Sequence, residues 1–190
     1  PNLPVITNGG SYSNYKTYGI YSDSQYVYLA SDHPNLTVDI VQASSQPYTQ
    51  IGKFGASGNE TGKSIFAANT ALGYTGFVTA ESKLYSFDLS SKSGDRPQYG
   101  SVALSGMGNR IIVVGNYAYV ATSNTTIQLQ IFNISNPKNM TLVRSFDVGN
   151  GQPGADVFVS SSGTYAYLAT SYISGKPNFF VISVQDPANP

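Results

Sequence analysis

The segment Ser57–Ser64 reads SGNETGKS and carries the residues of a phosphate cradle. In such a cradle the amides of a Gly-rich loop hold phosphates while a Lys reaches the terminal ones. Two features count against that chemistry. The first glycine of GxxxxGK[ST] falls on Ser57, and the residues that follow, KSIFAAN, read as a strand. A phosphate loop needs a helix there, because the helix N-terminus supplies the anion field. The segment is read as a loop between sheets.

Other chemistry-bearing residues are sparse. His33 is the single histidine, set in the turn SDHPN. Catalytic triads and most zinc sites need a histidine beside a nucleophile or further ligands, so a solvated turn residue is expected. The ten acids form no D-x-D-x-D-G calcium loop. Asp39 and Asp88 are taken as equivalent strand positions with Asn133 as their counterpart, fixing adjacent loops by hydrogen bonds. A glycosidase pair would need two carboxylates in one groove, and the sequence places no two acids together. No catalytic residue, metal or cofactor is expected. Five N-x-S/T sequons occur, at Asn35, Asn59, Asn124, Asn133 and Asn139. All but Asn133, which falls within a strand, lie in predicted loops where a glycan fits.

The elements that must position these residues follow from a repeated phrase. It reads YVYLAS at Tyr26–Ser31, GFVTAE at Gly76–Glu81, YAYVAT at Tyr117–Thr122 and YAYLAT at Tyr165–Thr170. Its anchors Tyr28, Phe77, Tyr119 and Tyr167 are 49, 42 and 48 residues apart. A period in the forties with strand chemistry throughout signals a radial or stacked β architecture. In the third repeat, NRIIVVGN, YAYVAT, LQIFNIS and MTLVRSFDVG supply four strands, one propeller blade. The first and second repeats fit the same template. The fourth offers ADVFVSSSG, YAYLAT and NFFVISV, then stops.

The expected fold is therefore all-β, a single small propeller over residues 1–190 with about four four-stranded blades. The repeats run approximately over 16–58, 62–106, 109–150 and 155–190 plus 1–8. The opening PNLPVITNGG is in phase with PKNMTLVRSFDVGNG, so Leu3–Thr7 is expected to complete the last blade and close the ring. Closure removes open sheet edges. The connectors GASGNETGK, SGMGNR and GNGQPGAD would surround one mouth of the central channel and carry Lys63, Arg110 and Asp156. That mouth is the default place for a small ligand.

Composition bounds the function. Ten basic and ten acidic side chains give zero net charge, so no long-range field favours nucleic acid or anionic lipid. Charged residues make up 11% of the chain, against about 25% in a typical soluble protein. Ser, Thr, Asn, Gly and 15 Tyr take their place, which points to an extracellular or cell-surface setting. No apolar run approaches the ~20 residues that span a bilayer. There is no Cys and so no disulfide framework. No signal peptide is visible, and the opening Pro1 reads as the start of a mature or trimmed product.

The third and fourth repeats, AYVATSNTTIQLQIFNISNPKNMTLVRSFDVGNGQPG and AYLATSYISGKPNFFVISVQDPANP, resemble the LVIVD-repeat family of β-propeller proteins. That pattern joins an AYVA strand, an apolar–Asp/Asn–apolar–Ser step and a D/N-P turn. Phe132-Asn133-Ile134-Ser135 with Asn136-Pro137 keeps it. Phe87-Asp88-Leu89-Ser90 keeps the step but loses the proline, and Val38-Asp39-Ile40-Val41 keeps it loosely. The resemblance implies bacterial or archaeal surface or secreted propellers, with no catalytic set to carry over. Such propellers usually have more than four blades. Either this is a small closed propeller or the chain is part of something larger.

The function expected from these readings is a non-enzymatic extracellular structural or adhesive module, a subunit of a surface filament or cell-wall layer. Its partners would be other copies of itself, other surface proteins and glycans. A lectin-like propeller binding carbohydrate or a small ligand is the alternative. A hydrolase using acids at the channel mouth ranks last.

Overall fold

A computed structural model describes residues 15–33, 36–44 and 47–188. Every regular element among them is a strand. The first sheet holds β1 (Thr17–Ser22), β2 (Tyr26–Ser31), β3 (Val38–Gln42) and β4 (Thr49–Phe54). The second holds β5 (Gly62–Thr70), β6 (Gly73–Ala80), β7 (Lys83–Asp88) and, beyond a two-residue strand β8 (Gly94–Asp95), β9 (Gln98–Ala103). The third holds β10 (Gly108–Val114), β11 (Tyr117–Thr122), β12 (Leu129–Asn133) and β13 (Thr141–Phe146). The fourth holds β14 (Gly154–Val159), β15 (Tyr165–Thr170) and β16 (Phe179–Ser183). Each sheet is an antiparallel meander in chain order, except that β8 leaves the second sheet and adds to the outer edge of the first.

Local chemistry explains the hairpins. Val114 pairs with Tyr117, leaving Gly115–Asn116 as a two-residue turn with Gly115 at φ 57°, a conformation that glycine adopts without steric cost. The repeated phrase forms the second strand of every sheet. Where the other repeats have Val27, Ala118 or Ala166, the second has Gly76. The ring of Phe87 lies there, and a Cβ on Gly76 would come within 2.3 Å of it.

The sheets stack face to face in chain order, as the period-2 alternation of strand side chains requires. One face of each sheet meets the opposite face of the next. Tyr28, Val38 and Ile40 of the first sheet pack on Ile65, Val78 and Phe87 of the second. Phe77 and Leu84 on the other face of the second pack on Ile111, Val120 and Phe132 of the third. Tyr119, Leu129 and Ile131 of the third pack on Val157, Leu168 and Ile182 of the fourth. The first strands β1, β5, β10 and β14 run side by side along one edge of this row. The row is open: among the described residues, no extensive packing joins the fourth sheet to the first.

Two sequence expectations meet a different or partial outcome, and one strand pairing lies outside them. The fourth sheet ends at β16 with three strands, and Leu3–Thr7, expected to supply a fourth, lies outside the described residues. The parallel pairing of β8 with β4, Gly52 to Gly94 and Lys53 to Asp95, was not anticipated. The alignment of Asp39 with Asp88 and Asn133 is corrected by register. Asp88 pairs with Thr75, Asn133 with Tyr117 and Gln42 with Tyr26, so Gln42 is their counterpart. Asp39 lies three residues earlier, opposite Leu29, buried, with Gln50 Nε2 donating to it at 2.6 Å. Burial holds its carboxyl above the usual value.

Candidate functional site

Each first strand carries a register shift at the same end. The shifts fall between Thr17 and Gly19, Gly62 and Ser64, Gly108 and Arg110, and Gly154 and Asp156. A β-bulge re-aims the side chains around it. The four bulged residues Tyr18, Lys63, Asn109 and Ala155 therefore hold equivalent positions along one rim, with Arg110 and Asp156 next to the last two.

The polar groups of this rim cross from sheet to sheet. Lys63 Nζ lies 3.7 Å from the centroid of the Tyr18 ring, a cation–π contact between the second and first sheets. The Ile111 N–H donates to Ser64 Oγ at 3.2 Å. Asn109 Nδ2 donates to the Gly154 carbonyl at 2.7 Å. Arg110 Nε lies 3.5 Å from Asp156 Oδ1. Arg110 Nε is buried and makes no hydrogen bond, so the pairing is one of charge, while Asp156 Oδ1 accepts from the Val157 N–H. The structure thus brings Arg110 and Asp156 together across the seam between the third and fourth sheets, while Lys63 is engaged with Tyr18.

The remaining sequence candidates are dispersed. Asn59 and Asn139 are exposed in loops. Asn124 is committed on both sides: Nδ2 donates to the Ser105 carbonyl of the connector before β10 at 2.9 Å and Oδ1 accepts from the Ile127 N–H of its own loop at 3.0 Å. Asn133 ends β12, with Oδ1 accepting from the Ser135 N–H. Asn35 lies outside the described residues. His33 packs against Tyr15, ring centroids 3.6 Å apart. Lys63 and Ser64, the end of the phosphate-loop look-alike, lie in β5, so the segment enters a strand and no helix.

Sequence reasoning missed the polar groups inside the seams. Thr79 is fully buried; its hydroxyl donates to the Gly108 carbonyl at 2.8 Å and accepts from the Ser64 N–H at 3.1 Å. Gln130 accepts from the Ser105 N–H at 2.8 Å. Ser86 Oγ donates to the Pro137 carbonyl at 2.6 Å. One signal was available: Thr79 stands where the other repeats have Ala30, Ala121 and Ala169. Two tyrosine–carboxylate pairs complete the set. Tyr28 donates to Asp23 at 2.7 Å and Tyr85 to Glu60 at 2.7 Å. Burial, and then the Asp23 carboxylate, push the Tyr28 hydroxyl well up. Burial raises Asp23, but the Tyr28 hydroxyl and the Gln25 and Tyr26 amides outweigh it and hold the carboxyl below the usual range. Lys83, hydrogen-bonded to Glu60, is held above the ordinary lysine value. These groups fasten loops and strands; among the described residues, no cluster of three or more metal-ligating side chains forms.

The LVIVD repeat model matches residues 105–148, which bears out the resemblance seen in the sequence and covers the third sheet. A search of curated proteins gives no match. Among solved structures, the chain is similar to the Myceliophteria thermophila Cps50 (Swd1) β-propeller domain, with a TM-score of 0.65 at 15% identity. The match covers 85% of this chain and 53% of that one, so the chain spans about half the length of that domain. It is also similar to the computationally designed Ika4 protein, with a TM-score of 0.67 at 8% identity, covering 94% of this chain and 99% of that one. The sheets are those of a β-propeller.

Proposed function

We propose that the chain is a non-enzymatic structural or adhesive module of an extracellular surface, acting as a subunit of a filament or cell-wall layer. The observation that carries this reading is the use of the rim polar groups. Lys63, Ser64, Asn109 and Arg110 each reach a residue of a neighbouring sheet, so they serve cohesion of the row. The charge-poor composition, 11% charged with 15 Tyr, suits weak contacts multiplied over many copies. In this reading Leu3–Thr7 supplies the fourth strand of the fourth sheet, whose β16 edge is free among the described residues. Asn59 and Asn139 are the preferred glycan acceptors, because Asn124 spends its amide on Ser105.

Carbohydrate binding at the rim is the second reading. It rests on Tyr18, an aromatic ring 40% exposed at the rim, which a sugar could reach by displacing the Lys63 ammonium from over it. Calorimetric titration with oligosaccharides, run beside sedimentation of the purified chain, separates the two. Self-association without sugar binding supports the structural module. Saturable sugar binding lost in Tyr18→Ala, with no self-association, overturns it in favour of the lectin.

A further inference from the structure

We propose that the open face of the fourth sheet is the docking surface for the first sheet of a second copy, two chains closing one ring. The inference deepens the reading of a self-associating module and rests on it.

Phe179 aligns with Val38, Leu84 and Leu129, all 0% exposed, yet Phe179 is 60% exposed. Val181 aligns with Ile40 and Ile131, both 0% exposed, and is itself 57% exposed. Phe158 aligns with Ile112, 8% exposed, and is 61% exposed. All three share one face, because Phe158 pairs with Tyr167 and Tyr167 with Val181. The rings of Phe158, Tyr167 and Phe179 form a row at 6.3 Å spacing. Monomers seldom leave a contiguous apolar patch uncovered. This one repeats the faces that cover the next sheet at the three internal seams.

The matching half lies at the other end of the row. At those seams the incoming sheet contributes Ile65, Ile111 or Val157, which are 2%, 0% and 2% exposed. Ile20 holds that position in the first sheet and is 62% exposed. The row thus ends in an open apolar face on the fourth sheet and, on the first, in an exposed Ile20 beside Val41 and Asp39, which are 4% and 2% exposed. The match of this chain to 53% of the Cps50 propeller domain leaves room in a ring of that kind for a second set of blades. A head-to-tail contact closes into a ring when its rotation fits, and here the rotation is the one already set by the three internal seams.

The test is mass in solution. Sedimentation equilibrium of the full chain is expected to give twice 20.2 kDa. Phe158→Asp and Ile20→Asp should each weaken the dimer by roughly a hundredfold, since a charge is placed in a desolvated seam. Both should keep the β circular dichroism of the parent, because each residue is exposed in the single chain. Mixing the two variants restores one intact junction and therefore a dimer, which a contact between two fourth-sheet faces would not do. A chain that stays monomeric at all concentrations overturns the proposal and leaves further blades of a longer polypeptide as the occupant. Open polymers of more than two copies, or a dimer indifferent to both substitutions, also overturn it, while leaving the self-association reading intact.

Discussion

Phe54 and Phe87 stack ring on ring across the seam between the first and second sheets, centroids 4.3 Å apart and planes 6° from parallel. Phe54 closes β4, and Phe87 lies over Gly76. One aromatic pair therefore joins two sheets and dictates a glycine in the repeated phrase. Phe87→Ala is expected to cost about 3–5 kcal/mol of stability, read from urea unfolding. Gly76→Ala should cost about 1–3 kcal/mol by displacing that ring. Equal stability of Gly76→Ala and the parent would show that the ring has room to move.

The β8 clasp gives a contrast between two adjacent residues. A Cβ on Gly52 would come within 2.0 Å of the Lys92 carbonyl oxygen, a backbone atom that cannot swing aside. Gly52→Ala is expected to lower the melting temperature and detach β8. Lys53→Ala removes only the ion pair to Asp95, 3.3 Å long between side chains 45% and 80% exposed. Such pairs contribute ~1 kcal/mol or less, so the melting temperature should barely move.

Asp88 makes stability depend on acid. Burial raises its carboxyl, but the Ser90 N–H and hydroxyl, Tyr99 and Arg96 outweigh burial and hold it below the ordinary value of 3.8. A carboxyl depressed in the folded state stabilises above its unfolded value and loses that contribution as pH falls through its folded one. Asp88→Asn should therefore be less stable than the parent near neutrality, by about 1–3 kcal/mol. The gap should close as pH drops below 4. A gap unchanged from pH 7 to pH 3 would mean that the charge is not what Asp88 contributes.

The rim pair should matter little to folding. Arg110 and Asp156 are 41% and 66% exposed and 3.5 Å apart, so Asp156→Asn is expected to shift unfolding by less than about 1 kcal/mol. A loss several times larger would assign the pair a structural weight that its exposure does not predict.

Much of the fold was legible because strand alternation and a period in the forties are properties of the letters. The second strand of every sheet is the repeated phrase, and Gly115–Asn116 announces its turn. The clasp was not legible, because Gly94–Asp95 pairs through backbone and carries no apolar pattern. The Asp39 alignment failed because VDIV and FDLS look alike while their registers differ by three residues. The open face was hidden for a simpler reason. NFFVISV has the letters of a buried strand, and only the row of sheets shows that nothing among the described residues covers Phe179 and Val181.

How the row of sheets is completed is tested directly by an image of the assembled protein down its axis. A crystal or electron cryo-microscopy structure of the full chain should show the fourth sheet of one copy packed on the first sheet of another, Phe158 and Ile20 buried in the same seam. A ring closed within one chain, or a fourth sheet bare to solvent in every assembly, would contradict it.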